Sequence, residues 1–171
     1  MDIYQQLAYD TIKLYLEKEE LPDLKKVNPE ILTRRASCFV TLRDKNDKLR
    51  GCIGTVLPTY KNLAGEIEAN AVAAATQDPR FLPVEIKELA DLKVSVDVLN
   101  EPEQVFSNDD LDIEKYGIIV QASDGRDGLL LPDIKGIKSV EEQVTIAREK
   151  GGIEPDEEIA LFRFTVERHE D

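Results

Sequence analysis

Apolar residues recur along this chain at helical spacing in some stretches and in alternation in others. Ile3, Leu7, Thr11 and Leu14, widened by Tyr4, Ala8, Ile12 and Tyr15, form the stripe of an amphipathic helix, which Leu21-Pro22 breaks. Asn28-Pro29-Glu30 reads as an N-cap with proline in the first turn of a short helical piece ending near Thr33. Cys38 to Arg43 is rich in strand formers, Asp44 to Lys48 is a polar turn, and Leu49 to Val56 is a second strand closed by Pro58. A two-residue turn at Asn46-Asp47 would pair Thr41 with Cys52 and Phe39 with Gly54. A turn centred on Asn46 would pair Val40 with Cys52. Neither register sets Cys38 opposite Cys52, so no cross-strand disulfide is expected.

Asn62 to Thr76 is predicted as a helix with Leu63, Ile67, Ala71 and Ala74 on one face, stopped by Asp78-Pro79-Arg80-Phe81. Its small residues, Ala69 to Ala75, allow a neighbour to pack close to its axis. Glu85 to Leu92 suits a short helix, and Val94, Val96 and Val98 alternate as a strand ended by Glu101-Pro102. Ser107 to Asp110 offers caps for a brief turn running to Lys115. Gly117 to Ala122 and Arg126 to Leu131 make a second hairpin about Asp124-Gly125. Ser139 to Glu142 has capping-box spacing and opens a helix to Lys150, with Gly151 as its C-terminal cap. Ile159 to Val166 is the last strand, and Arg168 to Asp171 is too polar to pack. Helices interleave with hairpins, without a βαβ rhythm, so the fold class is α+β with antiparallel sheets and flanking helices. The chain is read as a single domain over 1–171, with room for a smaller inserted subdomain.

Composition narrows the function. Twenty-two Lys and Arg against 35 Asp and Glu give a net charge of -13, a field that repels phosphate backbones and anionic lipid, so no nucleic acid and no membrane is expected as a partner. No apolar run approaches a membrane span, and Met1 to Gln6 lacks the pattern of a secretion signal, which predicts a cytoplasmic protein with both cysteines reduced.

There is no phosphate-cradling glycine loop, dinucleotide fingerprint, nucleophile elbow or paired-cysteine zinc spacing, and the one histidine, His169, is near the end of the chain. No metal is expected. What remains is the strand segment around Arg50-Gly51-Cys52. In an extended strand Arg50 and Cys52 point to one face, where Gly54 adds no side chain, and Gly51 leaves the opposite face bare. Interior glycines mark a bulge or a place where something approaches the backbone closely. A guanidinium beside a thiol favours thiolate, making Cys52 a candidate nucleophile or thiol ligand; the structural reading is a small buried hydrophobe. Cys38 reads as core. Asp78 and Arg80 read either as a helix stop held by an ion pair or as groups closing a pocket at Gly51 and Gly54, with Arg80 and Arg50 suited to an anionic ligand.

Several segments together resemble the AMMECR domain family: Cys38-Phe39-Val40-Thr41-Leu42, Leu49-Arg50-Gly51-Cys52-Ile53-Gly54, the alanine-rich helix into Asp78-Pro79-Arg80-Phe81, Val94-Ser95-Val96, and Gly128-Leu129-Leu130-Leu131-Pro132. The six-residue hallmark from Leu49 to Gly54 matches without departure; Ser37 stands where many relatives carry glycine. The region from Val140 to Ile153 looks most like stand-alone prokaryotic members. The resemblance implies an α+β fold whose larger part is made from both chain ends and whose smaller part is inserted. It also implies a place as component A of the AmmeMemoRadiSam system, beside a Memo-like protein and a radical S-adenosylmethionine enzyme. It supplies no reaction and no cofactor. Two functions are therefore carried forward: a small-molecule or substrate-handling site built on Leu49 to Gly54, and an accessory protein that docks those partners.

Overall fold

The computed structural model describes residues 1–171. The chain divides into two compact units: Met1–Val98 with Glu167–Asp171, and the inserted Leu99–Val166. The larger unit thus takes both chain ends, and each unit carries one antiparallel four-stranded sheet. No helix is long and apolar enough to cross a membrane.

In the larger unit, α1 (Ile3–Lys18) starts at Asp2, whose carboxylate accepts the Tyr4 and Gln5 N–H groups in a capping box. α2 (Pro29–Thr33) follows its Asn28 cap, and α3 (Leu63–Thr76) begins at Asn62. β1 (Cys38–Arg43) and β2 (Leu49–Gly54) form the hairpin, β3 is Lys93–Leu99, and the sheet order is β2-β1-β3 and then the last strand of the chain. The inward face carries Cys38, Val40 and Leu42, then Val94, Val96 and Val98, all buried against α1, α2 and α3. Burial pushes the Cys38 thiol up to about 12. The outward face carries Phe39, Thr41, Cys52, Gly54, Ser95 and Asp97, by the cross-strand register.

The hairpin uses both registers the sequence allows. Phe39 pairs with Gly54 and Thr41 with Cys52, but Arg43 pairs with Leu49, because the register shifts between Leu42 and Arg43. Arg50 is the extra residue of that bulge, and a bulge re-aims the side chain it carries.

In the inserted unit, β4 (Glu103–Val105), β5 (Gly117–Ala122), β6 (Asp127–Leu130) and β7 (Ile159–Phe164) are ordered β4-β7-β5-β6, with α4 (Val140–Gly151) against β5 and β6. The core is Ile118, Val120, Leu130, Ala147 and Ile153. Two expectations shift here. The cap of α4 is Gly152, in the left-handed region at φ 62°, rather than Gly151, which is the last helical residue. β4 has no counterpart in the sequence reading, since its residues are polar and follow a proline.

The expected final strand breaks at Thr165 into β7 and β8 (Val166–His169), and β8 joins β3 at the edge of the larger sheet. The polar tail is therefore ordered. Arg168 Nε lies 2.7 Å from Asp97 Oδ1, and the His169 ring stacks on Tyr4 and bonds Asp2 through Nδ1. The stretch expected as a helix over Glu85 to Leu92 is a 3-10 helix, Ile86–Asp91, and β2 stops at Gly54 rather than Val56.

The interior glycines of β2 are both occupied. A β-carbon on Gly51 would sit 2.1 Å from the carbonyl oxygen of Ala74 in α3, and one on Gly54 would sit 2.2 Å from the Phe39 ring. Since backbone cannot swing aside as a side-chain end can, Gly51→Ala is expected to destabilise the fold by about 2–3 kcal/mol, lowering Tm by roughly 5–10 °C. Calorimetry or far-UV melting checks this, and a Tm within about 1 °C of the parent would show that α3 is free to move off β2.

Candidate functional site

β2 is an edge strand, so the backbone groups on its outer side have no neighbouring strand. Thr55 N–H bonds the Cys38 carbonyl at 3.2 Å, and counting back in alternation makes Thr41 and Cys52 a non-hydrogen-bonded pair. The amide and carbonyl of Cys52 therefore point out of the sheet. Asp78 and Arg80 meet both. Cys52 N–H donates to Asp78 Oδ2 at 2.9 Å, and Arg80 Nη2 donates to the Cys52 carbonyl at 3.4 Å. The two side chains do for Cys52 what a further strand would do, and Pro79 holds them in the bend that ends α3.

The pair is itself tightly joined. Arg80 Nε lies 2.9 Å from Asp78 Oδ1 and Nη2 lies 2.7 Å from Oδ2, a two-pronged contact, and Arg80 N–H also donates to Oδ1. The guanidinium, with the Cys52 and Arg80 backbone N–H groups, holds the Asp78 carboxyl well below the usual carboxylate range. Exposure is divided unequally: the Asp78 side chain is 2 % exposed and that of Arg80 55 %. Arg80 thus offers a charged, fixed fork to solvent, with Phe81 beneath its guanidinium at 5.5 Å.

Cys52 Sγ lies 3.2 Å from Thr41 Oγ1. The thiol is half-buried, and its pKa is raised, first by desolvation and further by Asp97 and Asp78, against opposing effects from Thr41 and Arg80. The expected activation to thiolate is therefore reversed, because burial outweighs the neighbouring charge. The guanidinium that acts on the thiol is that of Arg80.

Arg50 goes elsewhere. From the bulge its Nε and Nη2 grip Glu88 at 2.7 and 2.9 Å, while Nη1 and Nη2 donate to the carbonyls of Leu82 and Pro83 at 2.9 and 3.2 Å. Its side chain is 18 % exposed. Glu88 raises the Arg50 pKa, and Arg50 lowers that of Glu88. Arg50 is a clamp on the 82–88 loop, with four guanidinium hydrogen bonds made to the fold. Of the predicted site residues the structure brings together Cys52, Asp78 and Arg80, with Gly51 and Gly54 serving packing. His169, bound to Asp2 and stacked on Tyr4, is not paired with a thiol.

Sequence reasoning missed Glu66. This carboxylate of α3 is fully buried and accepts from Thr55 Oγ1 at 2.8 Å, from Tyr60 N–H at 2.6 Å, and from both the amide and the hydroxyl of Thr59. Four donors without a cation fix the loop leaving β2. The signal available was a glutamate on an otherwise apolar helix face, a few residues after Thr55, Thr59 and the Asn62 cap.

Removing the Arg50 clamp is expected to loosen the 82–88 loop without unfolding the sheet. In Arg50→Ala, amide exchange at Val84 and Glu88 should quicken by about 10-fold, with β1 and β3 unchanged. Unaltered exchange at both amides would show that the loop holds itself.

Comparison with known proteins places these features in a family. Residues 5–169 match the AMMECR1 family. A protein of Thermotoga maritima is 55 % identical over 169 residues, covering 97 % of this chain and 96 % of that one. A protein of Clostridium acetobutylicum is 43 % identical and covers 99 % of this chain, which spans only 36 % of that longer protein. The crystal structure of an uncharacterized protein from Pyrococcus horikoshii superposes with a TM-score of 0.86 at 31 % identity, covering 96 % of this chain and 88 % of that one. With the hallmark strand intact and the match running almost end to end, this chain belongs to the AMMECR1 family.

Proposed function

We propose that the outer edge of β2 is a binding site for a small polar or anionic substrate, held by Arg80 beside the neutral thiol of Cys52. The observation that carries this reading is the unequal exposure of the Asp78–Arg80 pair. Asp78 is sealed against the Cys52 amide, whereas the Arg80 fork remains half open to solvent although its geometry is already fixed. A preoriented guanidinium loses little freedom when it meets a carboxylate or phosphate. The Cys52 thiol, kept protonated, serves as a hydrogen-bond partner and soft contact; acting as a nucleophile would require a base that takes its proton.

A second reading, an accessory protein docking a Memo-like protein and a radical S-adenosylmethionine enzyme, is favoured by a different observation. The loop that Arg50 clamps presents Leu82, 84 % exposed, and Ile86, 55 % exposed. A fixed loop with apolar tips suits a protein partner. The two readings use different residues and separate cleanly: Arg80→Ala affects the first, and Leu82→Ser with Ile86→Ser the second.

The thiol provides the test. Because burial raises its pKa, Cys52 is neutral near physiological pH and gains thiolate only as pH climbs past the range of a free cysteine. Arg80 opposes that shift, so Arg80→Ala should move the profile further up. In Cys38→Ala, iodoacetamide alkylation of Cys52 followed against pH should show an apparent pKa above that of a free cysteine, higher again when Arg80→Ala is added. An apparent pKa below that of a free cysteine would restore a nucleophilic thiol and overturn the binding reading.

A further inference from the structure

α3 is apolar on both sides. Leu63, Ile67, Ala71 and Ala74 are buried in the core of the larger unit, while Ala69, Val72 and Ala73 line a concavity of about 470 Å³ on its other side, a volume within the range of small-molecule sites. One wall comes from Tyr15 of α1 and from Leu21, the other from Thr59 and Tyr60. The second wall is the loop that Glu66 fixes with four hydrogen bonds, so the concavity is shaped before any ligand arrives.

Small residues alone would make only a groove, but two of the residues lining this one carry acceptors with no donor from the protein. Asn70 is 5 % exposed, and its Nδ2 donates to the Cys38 carbonyl at 3.1 Å, while its amide oxygen receives no hydrogen bond from the protein. Glu68, half-buried on the same helix, makes no hydrogen bond or ion pair, and its pKa is raised by burial alone. A partly desolvated carboxylate without a cation is costly, and no lysine or arginine lines this concavity to relieve it. The missing partner is a cation with hydrogen-bond donors and an apolar body. Two tyrosine rings at the walls suit the same charge.

The geometry points to a second ligand site, on α3 between Tyr15 and Tyr60, that takes a small organic amine in its ammonium form, with Glu68 as counter-ion and Asn70 Oδ1 as acceptor. This site does not depend on Cys52 or Arg80.

The test is an amide-shift titration of the full chain with phenethylamine near neutral pH, using phenethyl alcohol as its uncharged match. Saturable shifts at Ala69, Val72 and Ala73 are expected, with the amine bound about 10-fold more tightly than the alcohol, the measure of one charge-assisted contact. Glu68→Gln should bring the amine down to the level of the alcohol. Ala73→Leu, which fills the concavity at a half-exposed position, should abolish both while the remaining spectrum stays that of the folded protein. Cys52→Ser should bind like the parent. Equal affinity for amine and alcohol, undiminished amine binding in Glu68→Gln, or no saturable shift at α3 would overturn the assignment.

Discussion

The carbonyl oxygen of Ala74 occupies the place where a side chain on residue 51 would begin, and this one close approach governs the larger unit. It lets α3 lie against β2 at backbone distance. Both ends of the helix are then brought within hydrogen-bonding reach of the strand and of the loop that follows it. Near its start, Glu66 gathers the donors of the 55–60 loop; just past its end, Asp78 and Arg80 meet the outward backbone of Cys52. Gly51 is thus less a vacancy for a guest than the condition for the helix to carry the polar machinery. The inserted unit repeats the device, with the Ala147 carbonyl of α4 packed where a β-carbon on Gly128 would be.

From that constraint the division of labour in the hallmark strand follows. Gly51 admits the helix, Gly54 admits the Phe39 ring, and Arg50, turned by its bulge, ties down the 82–88 loop through two carbonyls and a carboxylate. Cys52 alone keeps a side chain near solvent on the outward face, and it keeps it as a thiol because desolvation dominates its electrostatics. Charge reaches the surface through Arg80, whose own counter-ion is sealed behind it. A strand that looks like an active centre is in large part a joint, and the proposed site is confined to one of its residues and the bend after α3.

Much of this was legible in the residues. The α+β class, the inserted part, the helix caps at Asn28 and Ser139, and the pairing of Thr41 with Cys52 as one of two registers follow from spacing, turn chemistry and family resemblance. The two registers left open by the turn sequence turn out to coexist, one on each side of the Arg50 bulge. Strict alternation cannot foresee that, because the bulge is a single-residue exception to it. The occupied glycines were invisible for a similar reason: a missing side chain looks the same in sequence whether a ligand or a helix backbone fills the space. Glu66 escaped because a carboxylate in a helix normally marks the solvent side, and only its four donors in the 55–60 loop show otherwise. The polar segments around Gln104 and Arg168 became strands through pairing with distant partners, which local propensity does not record.

In the proposed site Arg80, oriented by Asp78, is the group that meets a ligand, whereas Arg50 holds the 82–88 loop through four guanidinium hydrogen bonds. Side-chain Nε–H resonances of arginine report on each guanidinium separately. Titrating the protein with inorganic phosphate should move the Arg80 signal saturably and leave Arg50 in place. A shift at Arg50 with none at Arg80, or equal weak drift across all arginines, would contradict it.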